Sequence, residues 1–385
     1  MDLSAFLLSL ITIYVCARIM GELAVRIGQS AVLGELLAGV LIGGSGLGWL
    51  HETETLTLLG QVGVMLLLFE IGLESDIHSF LRVGRSAATV AAIGVVAPFA
   101  LGYGLALMLG LSQFQAIFIG ATLTATSVAL SASVLSELGK LKTAEGHIIL
   151  GAAVLDDLLG LVILSVVIGL ATSGLVSWMT VGWTAGLAMA FLVTAIVAGI
   201  RYAHLLSRLI DRLSSRGGAV IVALTFALFL GYLADRLQIA PLVGAFAAGL
   251  VLARSDHQTH IQERIRPVAD VFVPIFFVLI GAAVELRHFN PLNEQNWPTL
   301  WLAGGLTLVA IIGKLAAGLG AWRESVNRWA IGVGMLPRGE VGLIFAGVGL
   351  SHRILDEGQY GAILLVVALT TLIAPLLLKR TFRKA

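Results

Sequence analysis

Apolar runs recur along almost the whole chain, and most are long enough to cross a bilayer as a helix, which takes about 20 residues. Counted this way there are thirteen spans, near 4–24, 31–50, 56–73, 86–110, 114–138, 147–171, 178–200, 217–234, 239–254, 268–284, 299–322, 329–350 and 360–378. Lipid offers backbone N–H and C=O groups no partner, so runs of this length fold as helices that satisfy themselves internally. Charge is correspondingly scarce: 12% of residues are charged, against about 25% in soluble domains. The fold class is therefore an all-α polytopic membrane protein. The first run lacks a basic leading segment and a small-residue cleavage motif, so it reads as a retained span and not a signal peptide.

Loop charges test the count. With the N-terminus outside, one side collects Arg18, Arg26, Arg82, Arg85, Lys140, Lys142, Arg201, Arg208, Arg212, Arg216, Arg254, Arg264, Arg266, Arg323, Arg328 and the tail Lys379, Arg380, Arg383 and Lys384. The other side has Arg236, Arg287 and Arg353. Lys and Arg gather on the cytoplasmic side, which predicts the N-terminus outside and the C-terminus in the cytoplasm. The formal net charge of +1 leaves no basic patch for a nucleic-acid partner. "IIGKLAAG" lacks the upstream glycine and the following Ser/Thr of a phosphate-binding loop, so nothing points to ATP. A single cysteine, Cys16, allows no intrachain disulfide and no cysteine-rich metal site. The histidines show no metal-ligand spacing, and no cofactor is expected.

The chain also repeats itself. "VLGELLAGVLI" (32–42) aligns with "LVGAFAAGLVL" (242–252), matching Gly34 to Gly244 and Gly39 to Gly249. "IGLESDIHSF" (71–80) aligns with "IGAAVELRHF" (280–289) at nearly the same offset. Six spans, one linking span and six more put the halves in opposite orientation, the inverted-topology mark of secondary transporters. The expected organisation is one transport domain over 1–385: a first repeat at 1–171, a linking helix within 172–216 and a second repeat at 217–385.

Two spans at corresponding positions carry helix-breaking chemistry. The fifth contains "TATSVALSAS", with Thr124, Thr126, Ser127, Ser131 and Ser133; the twelfth contains "GVGMLPRGEVG", with Pro337 between glycines. Proline removes a donor and clashes with the preceding turn, while Ser and Thr can re-satisfy freed backbone groups. Paired interrupted segments point to a transporter site. Crossed half-helices leave dipole ends in the membrane, where C-termini attract cations and N-termini anions.

The spans hold Glu35, Glu70, Asp156, Asp157, Lys314, Arg338 and Glu340. At a helix centre each charge costs roughly 2.5–3.5 kcal/mol on insertion scales. One Asp–Lys pair at 4 Å regains about 4 kcal/mol at an effective dielectric of 20, which covers one aspartate only. Neighbours on a helix diverge by about 100°, so one of Asp156 and Asp157 can face Lys314 while the other faces a cavity. If Arg338 and Glu340 balance each other, one negative charge is left unmatched. An unmatched buried carboxylate takes a proton or captures a cation, and the two exclude each other. The residues thus predict proton–cation exchange at one site, with Glu35 expected in an access funnel or at an interface and Glu70 at the cytoplasmic interface.

"ATSVALSASVLSELG", "GHIILGAAVLDDLLGLVIL", "GVGMLPRGEVGLI" and "VLGELLAGVLIG" resemble the monovalent cation:proton antiporters, in the branch of NapA-type bacterial Na+/H+ antiporters and Kef potassium-efflux membrane domains. The resemblance runs through essentially the whole chain. It implies two inverted six-helix repeats with crossed broken helices (an NhaA/NapA-like fold), a mobile core of spans 4–6 and 11–13, and a dimer scaffold of spans 1–3 and 8–10. It also implies elevator-like transport, a homodimer and a place in the bacterial inner membrane. Carried over residue by residue, it makes Asp157 the ion- and proton-binding carboxylate and Asp156 the partner of Lys314. Thr126 and Ser127 then lie in the unwound stretch near the ion, and Arg338 and Glu340 form the charged pair of the second broken helix. A double aspartate with a lysine resembles the electrogenic members, which exchange two protons for one Na+. Li+ is an expected co-substrate, and the Kef nucleotide-binding domain is not expected on this chain. K+/H+ exchange by the same machinery remains an alternative. An intramembrane aspartyl protease is a remote one, since its carboxylates must face one bond and adjacent residues diverge.

Overall fold

The computed structural model describes residues 3–75, 82–173, parts of 179–201, 218–237, 239–253, 255, 257–284, 297–322 and 324–383. Among them every regular element is helical. In chain order these are α1 (Leu3–Arg26), α2 (Ala31–Ile42), α3 (Glu54–Glu74), α4 (Gly84–Met108), α5 (Gln113–Thr122), α6 (Val128–Glu137) and α7 (Ala144–Ser173). Then come α8 (Val181–Phe191) and α9 (Gly218–Arg236), α10 (Pro241–Leu252), α11 (Gln258–Ala282), α12 (Trp297–Ala317), α13 (Arg328–Gly334), α14 (Glu340–Ser351) and α15 (Glu357–Arg383). A 3-10 turn, Gly318–Ala321, extends α12.

Eight helices among the described residues are long and apolar enough to cross a membrane: α1, α3, α4, α7, α9, α11, α12 with its 3-10 extension, and α15. Of the remaining expected spans, the second and ninth are shorter helices, the fifth and twelfth are interrupted, and the seventh, 178–200, is described only in part. The second expected span, 31–50, is helical only to Ile42, where Gly43 caps it and a glycine-rich turn follows. The fifth and twelfth expected spans are each split in two, α5/α6 and α13/α14. The tenth starts earlier than expected, so Arg264 and Arg266 lie within α11 and not in a loop. Much of the expected linking region, 172–216, and loop charges such as Arg208, Arg212, Arg216, Arg254, Arg287 and Arg323 lie outside the described residues.

The helices sort into two sets by what they pack against. In the first, α3 lies against α10 and α11, α1 against α2, α2 against α11, and α9 against α10. In the second, α4 packs on α5, α7 and α12, α12 on α15, and α14 on α5 and α15. The sets meet mainly where α6 crosses α2 and α3, burying Val128, Leu130 and Val134 with Val32, Leu36 and Leu67 in one apolar cluster.

Lipid tails are as apolar as leucine, so helices in a bilayer gain most by close backbone approach at small residues. The first set is held this way. A methyl group on Gly39 would lie 2.0 Å from the Val278 carbonyl and 2.8 Å from the Gly281 Cα. One on Gly249 would lie 2.2 Å from the Phe69 carbonyl and 2.8 Å from the Gly72 Cα. These contacts join α2 to α11 and α10 to α3, in the register of the two sequence matches. The buried face of α1, Ile13, Ala17, Gly21 and Ala24, likewise has its counterpart in Ala223, Ala227, Gly231 and Ala234 of α9.

Overpacking of this kind typically costs about 1–3 kcal/mol. Gly39→Ala and Gly249→Ala are therefore expected to lower the melting temperature in detergent. Gly104→Ala, where an added methyl meets nothing within 4 Å, should leave it within a degree or two of the parent by the usual scale of surface changes.

Candidate functional site

Two helices break inside the second set, and the breaks face each other. α5 starts on a capping box, with Ser112 and Gln115 bonded reciprocally, and stops at Thr122. The chain then runs unwound through Leu123–Thr126 until Ser127 caps α6, its Oγ accepting from the Leu130 N–H at 3.4 Å. α13 starts from Asn327, whose side chain accepts from the Ala330 N–H at 3.1 Å, and stops at Gly334. Pro337 lies in the gap before α14, where its missing N–H leaves no donor to satisfy.

Backbone groups released by one break bond to the other. The Ser127 N–H donates to the Pro337 carbonyl at 2.7 Å. Ser131 Oγ donates to the Gly334 carbonyl at 2.6 Å, and Thr126 Oγ1 reaches the Met335 carbonyl at 3.5 Å. Thr371 of α15 donates its hydroxyl to the Arg338 carbonyl at 2.8 Å. Gly339 sits so near Ser127 that an added methyl would meet its Cβ at 3.1 Å.

Two cations occupy the carbonyl end of α5. Arg338 Nη1 donates to the carbonyls of Leu123 and, at 3.3 Å, Ala125. Lys314 Nζ donates to the Thr124 carbonyl, to Thr126 Oγ1 at 2.6 Å and to Asp156 Oδ2 at 3.4 Å. Positive charge at a helix C-terminus is the stabilising arrangement for the macrodipole. Lys314 is 0% exposed, Asp156 and Arg338 are each 1% exposed, and Asp157 is 7% exposed. Asp157 follows Asp156 on α7, turned about 100° around the axis.

The expected site residues divide as follows. Asp156, Thr126 and Lys314 form one bonded cluster, and Ser127 and Arg338 join it through the breaks. Asp157 is buried beside it on α7. Arg338 was expected to pair with Glu340, but its described hydrogen bonds go to the carbonyls of the first break; Glu340 opens α14, and its side chain lies outside the described residues. Glu35 is half-buried and lines a cavity of about 850 Å³ between α1, α2, α3, α6 and α11, with Glu70, Glu137, Asp270, Arg18 and Arg266. Glu70 is partly buried in that cavity and faces Arg266 at 3.8 Å. Along the same three helices α2, α3 and α11, beyond Leu36 and Phe276, lies a second cavity of about 290 Å³, lined by Arg338, Gly339 and Thr371. Ser131 stitches the breaks, as the Ser and Thr of the fifth span were expected to, and Thr371 does so as well, a role that the sequence did not assign to it. Their signal was a hydroxyl inside an apolar span, which by itself most often bonds within its own helix.

A helix bundle in which two interrupted helices cross beside buried, paired charges has the build of a secondary ion transporter. Residues 9–384 match the transmembrane sodium/hydrogen exchanger family, and the chain belongs to that family. It is 39% identical over 419 residues to the high-affinity Na+/H+ antiporter NhaS3 of Synechocystis, covering 100% of this chain and 91% of that one. It is 36% identical to the Na+/H+-K+ antiporter GerN of Bacillus cereus, covering 98% of this chain and 96% of GerN. Its fold matches the sodium proton antiporter MjNhaP1 of Methanocaldococcus jannaschii with a TM-score of 0.67 at 19% identity, over 96% of this chain and 94% of that one.

Removing one partner of a fully buried ion pair typically costs about 3–5 kcal/mol, because the other charge is left uncompensated. Lys314→Met is expected to lower thermal stability by that order, measured by melting in detergent. The double variant Lys314→Met with Asp156→Asn should recover much of the loss, and additive losses would count against a direct pair.

Proposed function

We propose that the protein exchanges Na+ or Li+ for protons across the bacterial inner membrane, with both competing for Asp157. The observation that carries this reading is the Lys314–Asp156 pair at the crossing of the two breaks, with a second buried carboxylate one residue on. Lys314 pairs with Asp156, and Arg338 donates its Nη1 to carbonyls of the first break. In this reading Asp157 trades a proton for a cation while Asp156 and Lys314 stay paired beside it. Thr126 and Ser127 offer oxygens beside it.

The finer architecture of this reading is thirteen spans in two inverted repeats, with the N-terminus outside and the C-terminus in the cytoplasm. The reciprocal glycine contacts, Gly39 with Gly281 and Gly249 with Gly72, support the repeats, because a pseudo-two-fold relation exchanges one pair for the other. The two helix sets support a division into a dimer scaffold (α1–α3 and α9–α11) and a mobile core (α4–α7 and α12–α15). Cavities at opposite ends of the seam between the sets support alternating access by sliding one against the other. Exchange is electrogenic, two protons for one Na+, and each net charge draws about 2.3 kcal/mol from 100 mV of membrane potential. A second reading, K+/H+ exchange, is favoured by one observation: GerN is named for K+ as well as Na+.

Purified protein in proteoliposomes with an imposed pH gradient tests the proposal. Na+ and Li+ are expected to dissipate the gradient, and Asp157→Asn to abolish the response while the protein still folds. Full exchange by Asp157→Asn would refute the assignment. An inside-negative potential, imposed to drive protons inward, should raise the rate; indifference to potential would argue for one-to-one exchange. Dissipation by K+ alone would decide for the second reading.

A further inference from the structure

Two charged side chains of the second helix set reach across to one short loop of the first. The turn that follows α1 closes at Gly28, whose φ of +72° lets the Gly28 and Gln29 N–H groups bond back to Val25 and Ala24 at 2.8 and 2.7 Å. α2 begins at Ala31, and its cap residue Ser30 makes no side-chain cap. The cap comes from elsewhere. Glu137, the last residue of α6, accepts from the Ala31 N–H at 3.1 Å through Oε2 and from the Val32 N–H at 3.2 Å through Oε1. Lys379 of α15 donates to the Gly28 carbonyl. A carboxylate thus holds a helix N-terminus and an ammonium holds a helix C-terminus, each the favourable sign for the dipole it meets. Both grips join one set to the other, and Glu137 with the first turn of α2 also lines the larger cavity.

Among the described residues the second repeat lacks this arrangement. In the register that aligns Gly34 with Gly244, Ala31 corresponds to Pro241, the first residue of α10. Proline suits that position but has no N–H to give. The counterpart of α6, α14, ends at Ser351 followed by His352 and Arg353, with no carboxylate. Glu137 could not be matched there by the same chemistry.

We propose that Glu137 and Lys379 form a latch that holds the two sets in the arrangement with the larger cavity open, and that its presence at one end alone biases the exchange cycle toward this state. The proposal rests on the reading that the sets move against each other during exchange. Sliding α6 along α2 must break both grips, and α2 then loses the cap that no residue of its own supplies. Loss of a helix cap is worth roughly a five-fold change in an equilibrium.

The test uses full-length protein in nanodiscs, with Cys16→Ser and a reporter, Val273→Cys, on the cavity wall in α11. Glu137→Ala, Lys379→Met and Ala31→Pro each remove one element of the latch. Ala31→Pro keeps the charge and the helix start and removes one donor, making the first repeat resemble the second. Each is expected to slow maleimide labelling of the reporter by about three- to ten-fold, and to shift the Na+ half-saturation of exchange while exchange persists. Thermal melting identifies a variant that is merely misfolded, and the other two then decide. A parent that exchanges, with folded variants that label at the parental rate, overturns the latch alone. A parent that moves no protons in response to Na+ overturns the exchange reading and the latch with it.

Discussion

Backbone that leaves a helix in the middle of a bilayer finds no water, and everything at the centre of this protein follows from how that is managed. Each of the two breaks is the hydrogen-bond partner of the other: Ser127 N–H to Pro337, Ser131 to Gly334, Arg338 to Leu123 and Ala125. A break alone would be costly; two crossed breaks complete one another. The crossing also leaves a helix C-terminus pointing into the protein, and that negative end lets Lys314 and Arg338 be buried completely. Once Lys314 is there, Asp156 can be buried beside it, and a further buried aspartate on the same helix is the group proposed to choose between proton and metal ion.

Close glycine approaches hold each helix set together, in the second through Gly313, Gly318, Gly320 and Gly332, and the contacts between the sets are of another kind. Reciprocal glycine approaches bring backbones of α2, α3, α10 and α11 together with no room for a methyl group. Contacts of that kind are rigid, because packed backbones have no alternative arrangement of similar energy. Between the sets lie apolar side chains, two cavities and the grips of Glu137 and Lys379. In the sliding motion proposed above, aliphatic surfaces would pass one another at small cost, and the few polar contacts across the seam would carry a disproportionate share of the preference for one position.

Much of the site was legible along the chain because membrane chemistry is unforgiving. A charge within an apolar run has to have a reason, so Asp156, Asp157, Lys314 and Arg338 stood out without any coordinates. The breaks were legible for the same reason: Pro337 among glycines, and a cluster of Ser and Thr in an otherwise aliphatic span, disfavour an unbroken helix at that depth. That one of the two aspartates would face Lys314 followed from charge balance and the angle between adjacent residues; that it would be Asp156 came from the family resemblance. For Arg338 the sequence offered a neighbouring glutamate as a partner and gave no hint that its Nη1 donates to carbonyls more than 200 residues earlier. Backbone carbonyls are present at every residue and leave no mark on a sequence, so such a partner cannot be read from it.

Helix ends show the same limit. Span lengths were set by hydropathy, and the true ends by capping, which is why the second helix is shorter than its apolar run and the tenth span reaches into charged residues. What the sequence by itself determined was the class of solvent the chain lives in, the number of costly charges it carries there and the places where its helices must fail, since each depends on side-chain chemistry near in sequence. What only the tertiary structure decided was which carbonyls receive Lys314 and Arg338, which glycines touch, and that Glu137 caps a helix 106 residues away. Those depend on distances between segments far apart in the chain, and hydropathy carries no information about distance.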